Sequence, residues 1–282
     1  MTKKINISIC GYGIMGKNHE RICKSLELNV NNIFDPKEEQ YNSYDKFLNN
    51  IKNSDGVIIS SPTKFHKKNL VDILSINPNI KVLIEKPCFY SSEDASSIEK
   101  SIIYSKSILV GQIERFNPIV KKIKNIIDPE DIIQIKTSRV GNVPSREKID
   151  CRKDLGIHDL DFSIFVKENF PKDLFIQSNK NSTHEVMIYS IGETLVQNEV
   201  SWCYPFKERS FNILTKNGIY KGNFFHQTLD FIDWTGQKIS IPIDKKEPLI
   251  NEINYFIDMI KNKKSSLCNL KENLSLVKLL GY

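Results

Sequence analysis

The stretch KINISICGYGIMGKNHERICKSLEL, residues 4–28, decides how the rest of the chain is read. Ile5, Ile7 and Ile9 alternate with polar residues, the period of a half-buried strand, while Ile22 and Leu26 stand one helical turn apart. Between the two lie Gly11, Gly13 and Gly16 in the spacing G-x-G-x-x-G. Strand, tight turn and helix form the setting that a dinucleotide fingerprint needs. The first glycine permits the turn, the second lets backbone N–H groups approach a pyrophosphate, and the third lets helix and strand pack closely. The helix that Ile14 and Met15 begin then presents its N-terminus to the anion. Asp35 follows Gly16 by nineteen residues, where a carboxylate can accept from both ribose hydroxyls and would repel a 2′-phosphate. NAD is therefore the expected cofactor, with NADP left open because Lys37 can soften that repulsion.

Outward from this stretch the pattern repeats. NVNNIFD (29–35), GVIIS (56–60) and IKVLIEKP (80–87) read as further strands, the first broken by Pro36 and the others stopped by Pro62 and Pro87. KKNLVDILSI (67–76) has helical spacing between two of them, and SSEDASSIEK (91–100) starts like a helix, with serine as cap and acids in the first turn. Strands alternating with helices predict a doubly wound parallel sheet. From about residue 131 the texture changes to DIIQIKTSRV, HEVMIYSI, TLVQNEVSW and RSFNILTKNGIYKGNFF, where apolar and polar positions trade places at every residue. These predict antiparallel strands with one covered face. KKEPLINEINYFIDMIKNKK (245–264) returns to helical spacing through Ile250, Ile253, Phe256 and Ile260. The expected organisation is an α/β chain: a Rossmann domain over 1–120 and an α/β domain with an open, mostly antiparallel sheet over 121–282.

Composition removes several classes of function. The chain has 282 residues and a net charge of +6, but only six of its forty basic residues are Arg and the lysines are spread throughout, which argues against a nucleic-acid interface. No apolar run approaches the ~18 residues of a membrane span, and MTKKINISIC is a poor signal peptide. Six cysteines lie far apart without a C-x-x-C pair, as expected of reduced thiols in a cytoplasm.

The stretch CRKDLGIHDLD, residues 151–161, concentrates proton-handling side chains. On a regular helix Asp154, His158 and Asp161 share a face while Asp159 points elsewhere. Histidine is the side chain suited to proton transfer near neutral pH. A metal reading through Cys151, His158 and Asp161 lacks a second ligand cluster, so no metal is expected.

GYGIMGKNH, SPTKFH, EKP and D-x-G-x-H occur in that order, and together they resemble the oxidoreductase family of glucose-fructose oxidoreductase and inositol dehydrogenase. The resemblance implies that the glycine turn, with Ile14 and Met15, holds NAD(P), and that Ser61, Pro62, Glu85 and Lys86 lie at the cofactor. His66 is either a cofactor contact or a satisfied structural histidine. It also implies that Lys86 and His158 serve as acid/base groups, that Asp154 orients the substrate, and that the second domain's sheet mediates a homo-oligomer, a dimer or tetramer. The last segment, KENLSLVKLLGY, would pack back on the first domain. Physical reasoning agrees for Lys86, which follows a strand's carboxyl end where open parallel sheets place their ligands.

GQIERFNP (111–118) and SRVGNVPSR (138–146) are similar to nucleotide-sugar members of that family, particularly UDP-N-acetylglucosamine 3-dehydrogenases. This likeness implies that Arg115 and Asn117 contact sugar or cofactor and that Arg139 or Arg146 meets the diphosphate, a task suited to the planar Arg fork. The alternative for Arg115 is a structural ion pair with a nearby acid. The expected activity is NAD-dependent oxidation of a UDP-activated N-acetylhexosamine to its 3-keto sugar. The alternatives are an inositol or free-sugar dehydrogenase and a catalytically silent NAD-sensing protein.

Overall fold

The computed structural model describes residues 4–101, 105–142 and 150–281. The first part alternates strand and helix as expected: β1 (Asn6–Cys10), α1 (Ile14–Ser25), β2 (Asn29–Phe34), α2 (Tyr44–Asn50), β3 (Gly56–Ile59), α3 (His66–Ile76), β4 (Lys81–Glu85), α4 (Ser92–Ser101) and β5 (Ile108–Gly111). The strands form one parallel sheet in the order β2-β1-β3-β4-β5. Helices on both faces explain why β3 and β5 are buried along their whole length. β2, at the edge, keeps exposed Asn29 and Asn31, the polar edge that discourages pairing with another chain.

The second part contains α5 (Pro118–Ile126), β6 (Ile132–Asn142), one turn of π-helix (Arg152–Gly156) running into α6 (Ile157–Lys167), then β7 (Phe175–Ser178), β8 (His184–Ile191), β9 (Thr194–Ser201), β10 (Cys203–Thr215), β11 (Gly218–Asn223), β12 (Thr228–Asp233) and β13 (Lys238–Ile241). Its eight-stranded sheet has the order β13-β12-β11-β10-β6-β9-β8-β7. Every pair is antiparallel except β6 with β9. β8 and β9 alternate buried with more exposed residues, so one face is covered and the other is open. On the covered face Phe162 of α6 meets Phe211 of β10 and Phe224, with all three ring pairs 5.0 Å apart. The short strands β7, β12 and β13, absent from the sequence reading, lie towards the sheet's edges, where few neighbours impose an alternating pattern.

The domain boundaries differ from expectation. One compact unit comprises residues 1–112 together with 249–282, and the other comprises 113–248. The chain leaves the first unit just after β5 and comes back through α7 (Pro248–Ile260) and α8 (Leu270–Leu279). The reason is visible at β3 and β5. Gly56 has no Cβ; one placed there would stand 2.7 Å from Ile260 Cδ1 and 3.0 Å from Phe256 Cζ, so the bare strand start receives the apolar face of α7. At the sheet's edge, Val110 N–H donates to Cys268 O at 2.9 Å, and Gln112 Nε2 donates to Asn273 Oδ1 at 2.7 Å. Helical periodicity over 245–264 identifies a helix but not the sheet it covers. Among the described residues, no helix is long and apolar enough to cross a membrane.

Gly56→Val should lower the stability to urea by about 1–3 kcal/mol through overpacking. Adding Ile260→Ala to the same chain vacates the space and should restore part of the loss.

Candidate active site

In the first unit the three glycines differ in what forbids a side chain. Gly11 has φ +101°, and a Cβ there would lie 2.3 Å from Ser61 N; a Cβ on Gly16 would lie 2.1 Å from Gly11 O. Packing of the protein against itself requires both. Gly13 meets nothing within 4 Å, so its bareness serves no contact inside the protein. Gly13 is also the N-cap of α1, with no side-chain capping bond and no acid in the first turn. The first N–H groups of the helix thus face no competing anion of their own. Beside it Ile14 is 72% exposed, an apolar surface of the kind a bound molecule covers. The cradle fits a dinucleotide pyrophosphate.

Asp35 closes the other side of the turn. Its Oδ2 accepts from Tyr12 N–H at 2.7 Å and its Oδ1 from Lys37 N–H at 2.9 Å. A carboxylate offers about four acceptor positions, which leaves capacity for ribose hydroxyls. Ser60, not Ser61, bonds the turn, through Oγ to Gly11 O at 2.8 Å; Ser61 Oγ donates to Asn69 Oδ1 at 2.8 Å, and Pro62 leads into the short turn before α3.

His66 and Glu85 are placed differently from the cofactor contacts expected of them. The His66 ring is buried, with Nε2 2.7 Å from Ser61 O and Nδ1 3.1 Å from Pro87 O. Burial lowers its proton affinity, opposed by the carbonyls and by the charge of Glu85. The ring thus lies between the loop after β3 and the loop after β4, with one nitrogen facing a carbonyl of each. Glu85, the last residue of β4, turns inward: its Oε1 is 2.8 Å from Nε2 of the fully buried His19. Glu252 of α7, also buried, completes a group whose ligand-type atoms all lie within 4.8 Å of one another. Lys86 comes next and is half-buried; its N–H donates to Glu85 Oε2 at 3.3 Å, and the Lys86–Pro87 peptide is cis.

In the second unit a π-helical turn over Arg152–Gly156, closed by i→i+5 bonds, carries Asp154 and runs into α6, which carries His158 and Asp161. Asp154 and His158 are half-buried, whereas Asp159 and Asp161 are both buried. Asp161 takes both arms of Arg115, with Nη2 2.7 Å from Oδ1 and Nε 2.9 Å from Oδ2. Asp159 Oδ1 accepts from Arg139 Nε at 2.8 Å, and Glu114 Oε1 accepts from Arg139 Nη1 at 2.9 Å. Burial pushes the Asp159 carboxyl up, and Arg139 draws it part of the way back.

Arg115 and Arg139, expected at the sugar and the diphosphate, are each paired with buried carboxylates, the arrangement that was the alternative for Arg115. Asn117 is the N-cap of α5: its Oδ1 accepts from Ile119 N–H at 3.3 Å, while Nδ2 donates to Glu114 Oε2 and to Phe224 O, each at 3.0 Å. Sequence spacing cannot distinguish an Arg facing a ligand from one facing an acid on a neighbouring helix. Arg146 lies outside the described residues. Arg209, unremarked in the sequence, stands directly across the β6–β10 ladder from Arg139. Burial, and then the charge of Arg139, lowers it to about 10; it donates to Val140 O and Glu208 O. Cys151 packs with Leu155, Val200 and Trp202, and the acids at ligand distance from it are Asp150 and Glu185 rather than His158 and Asp161.

Residues 5–109 match the family described as "Oxidoreductase family, NAD-binding Rossmann fold". That segment, which spans the glycine turn, Asp35 and Lys86, is an NAD-binding Rossmann unit of this oxidoreductase family. No curated protein matches the chain by sequence. Among solved structures, UDP-N-acetylglucosamine 3-dehydrogenase GnnA from Acidithiobacillus ferrooxidans superposes with a TM-score of 0.89 at 18% identity, covering 99% of this chain and 96% of that one. A dehydrogenase (MviM) from Clostridium difficile gives 0.81 at 20% identity, with 99% and 98% covered. An oxidoreductase from Agrobacterium radiobacter, in complex with NAD+, L-tartaric acid and magnesium, gives 0.82 at 13% identity, with 99% and 94% covered. At these identities the likeness is one of fold.

Gly13→Ala should leave the unfolding midpoint unchanged while weakening NAD binding tenfold or more in a calorimetric titration, whereas Gly16→Ala should cost stability directly. Arg115→Ala should destabilise by about 3–5 kcal/mol in urea unfolding, because it strands the buried Asp161 carboxylate. Its NAD affinity should stay unchanged under conditions where it remains folded.

Proposed function

We propose that the protein is an NAD-dependent dehydrogenase that oxidises a secondary hydroxyl of a nucleotide-activated sugar, of the UDP-N-acetylglucosamine kind, to the 3-keto sugar. The carrying observation is that an open glycine cradle and a half-buried lysine stand at the carboxyl ends of β1 and β4 in one parallel sheet. Ligands of such sheets bind at those ends. NAD, when bound, supplies the ring carbon that accepts hydride. Gly11, Gly13, Ile14, Met15 and Gly16 seat the pyrophosphate, and Asp35 takes the ribose. Lys86 is the group that takes or relays the hydroxyl proton and donates to the new carbonyl oxygen. His158 is the second acid/base candidate, and Asp154 orients the sugar.

The nucleotide part of this reading draws on the likeness in fold to the UDP-N-acetylglucosamine 3-dehydrogenase. A specific observation favours the second reading, oxidation of a free sugar or polyol. Two of the arginines assigned to sugar and diphosphate are already neutralised by buried acids. The chain works as a homo-oligomer in this reading, supported by exposed Phe175, Ile188 and Leu195 on the strands of the eight-stranded sheet. Free thiols at all six cysteines suit a cytoplasmic setting.

UDP-N-acetylglucosamine with NAD should produce reduced cofactor, followed by its absorbance, and Lys86→Ala should lower kcat by at least a thousandfold while NAD still binds. Turnover of inositol or a free sugar with no response to UDP-sugars would establish the second reading. NAD binding without turnover of any sugar would identify a sensor.

A further inference from the structure

Both chain neighbours of Lys86 face histidines from other elements. Beyond it, Pro87 O faces His66 of α3; before it, Glu85 is bonded to His19 of α1. The Glu85 side chain lies against the bare backbone of Gly111, where a Cβ would stand 3.4 Å from its Cδ, and its Oε2 accepts the Lys86 N–H. Glu252 approaches this group from α7 with Oε1 buried and without a hydrogen-bond partner. The proposed reaction uses neither His19 nor Glu252.

We propose that His19 and Glu252 are positioning residues for Lys86, holding the Glu85 carboxylate from two sides so that it keeps its bond to the Lys86 amide. The inference rests on the dehydrogenase reading for its kinetic consequence only. The physical argument concerns charge. Two carboxylates this close, both removed from water, cannot both stay ionised. The titratable groups facing Glu252 among the described residues are Glu85 from β4 and His19 from α1, with His66 of α3 beyond Glu85. His19 bonds Glu85, so Glu85 carries the charge and Glu252 carries the proton. Burial, followed by the charge of Glu85, pushes the Glu252 carboxyl well above the usual carboxylate range. Ionisation of Glu252 would drive Glu85 from its place and loosen the Lys86 amide. Two carboxylates and an imidazole could also hold a divalent cation, but at 2.8 Å His19 and Glu85 already bond each other directly, as a shared proton requires.

The full-length chain carrying Glu252→Gln, which keeps the shape and neutrality of the acid, separates these accounts. The wild type should show the infrared band of a protonated buried carboxyl at neutral pH, and E252Q should lack it. A folded-state value raised above the ~4.3 of an unfolded Glu makes the contribution of Glu252 to stability complete below that pH and lost as pH rises through the folded value. The stability of E252Q relative to wild type should therefore grow with pH above ~4.3 and then level off. The Lys86 amide should exchange with solvent at wild-type rate in E252Q and at least tenfold faster in Glu252→Ala. With an active substrate, wild-type kcat should fall on the alkaline side along a limb that E252Q lacks. Absence of the carboxyl band, unchanged Lys86 exchange in Glu252→Ala, or one equivalent of divalent metal lost in E252Q would each overturn the proposal. The band, the stability profile and the exchange rate need no substrate, so inactivity towards every sugar would defeat the dehydrogenase reading and leave these three to judge the cluster.

Discussion

Helix α1 reaches the carboxyl end of β1 because nothing stands between Gly16 and the Gly11 carbonyl, where a Cβ would lie 2.1 Å from the oxygen. That approach fixes the direction of the helix, and much of the first unit follows from it. The helix start points its N–H groups over Gly13, Asp35 binds the turn through Tyr12 N–H, and Ser60 binds it through Gly11 O. His19 lies three residues past Gly16, so the same close packing carries an imidazole onto Glu85 at the end of β4. One constraint therefore prepares a place for an anion and a support at the end of the strand that leads into Lys86.

The second unit is organised by a different rule, that a buried charge requires a partner. Asp159 and Asp161 belong to an acid-rich run that would ordinarily face solvent, yet both are buried because Arg139 and Arg115 meet them. Aromatic faces complete the surroundings: the Arg115 guanidinium carbon is 4.8 Å from the Phe165 ring and that of Arg139 is 5.2 Å from Phe224. Removing one member exposes the others to desolvation without compensation, so the layer fixes how α6 sits on β6. Arg209, directly across from Arg139 with carbonyl partners, makes a quartet of two cations and two acids with Glu114 and Asp159.

What the sequence made legible follows from what periodicity encodes. The alternating run HEVMIYSI coincides with β8, and the glycine turn stands where its spacing put it, because both patterns are set by local geometry. The return of α7 to the first unit was hidden, since a helix reads the same whichever sheet it covers, and that of the last segment was implied only by the family resemblance. The partners of Arg115, Arg139 and Asn117 were hidden for a related reason: Asp161, Asp159 and Phe224 O lie on elements distant in sequence. His19 was quoted within GKNH without a role. Glu252 left a signal that could have been used, a lone acid among Leu249, Ile253 and Phe256 on the buried stripe of α7.

The proton-transfer role proposed for Lys86 carries conflicting needs: its ammonium must move, but its backbone must not, since a displacement of the order of an ångström can cost two powers of ten in rate. Lys86 lies past the end of β4, where ladder bonds no longer hold the chain. Its neighbours Glu85 and Pro87 instead meet side chains of α1, α3 and α7, and one of these arrives from the far end of the sequence. The homecoming of α7 thus does more than cover the bare start of β3 at Gly56. It brings an acid to the underside of the strand that carries the lysine, so a first unit ending at residue 112 would possess the glycine turn and Lys86 while lacking part of what holds Lys86 in place.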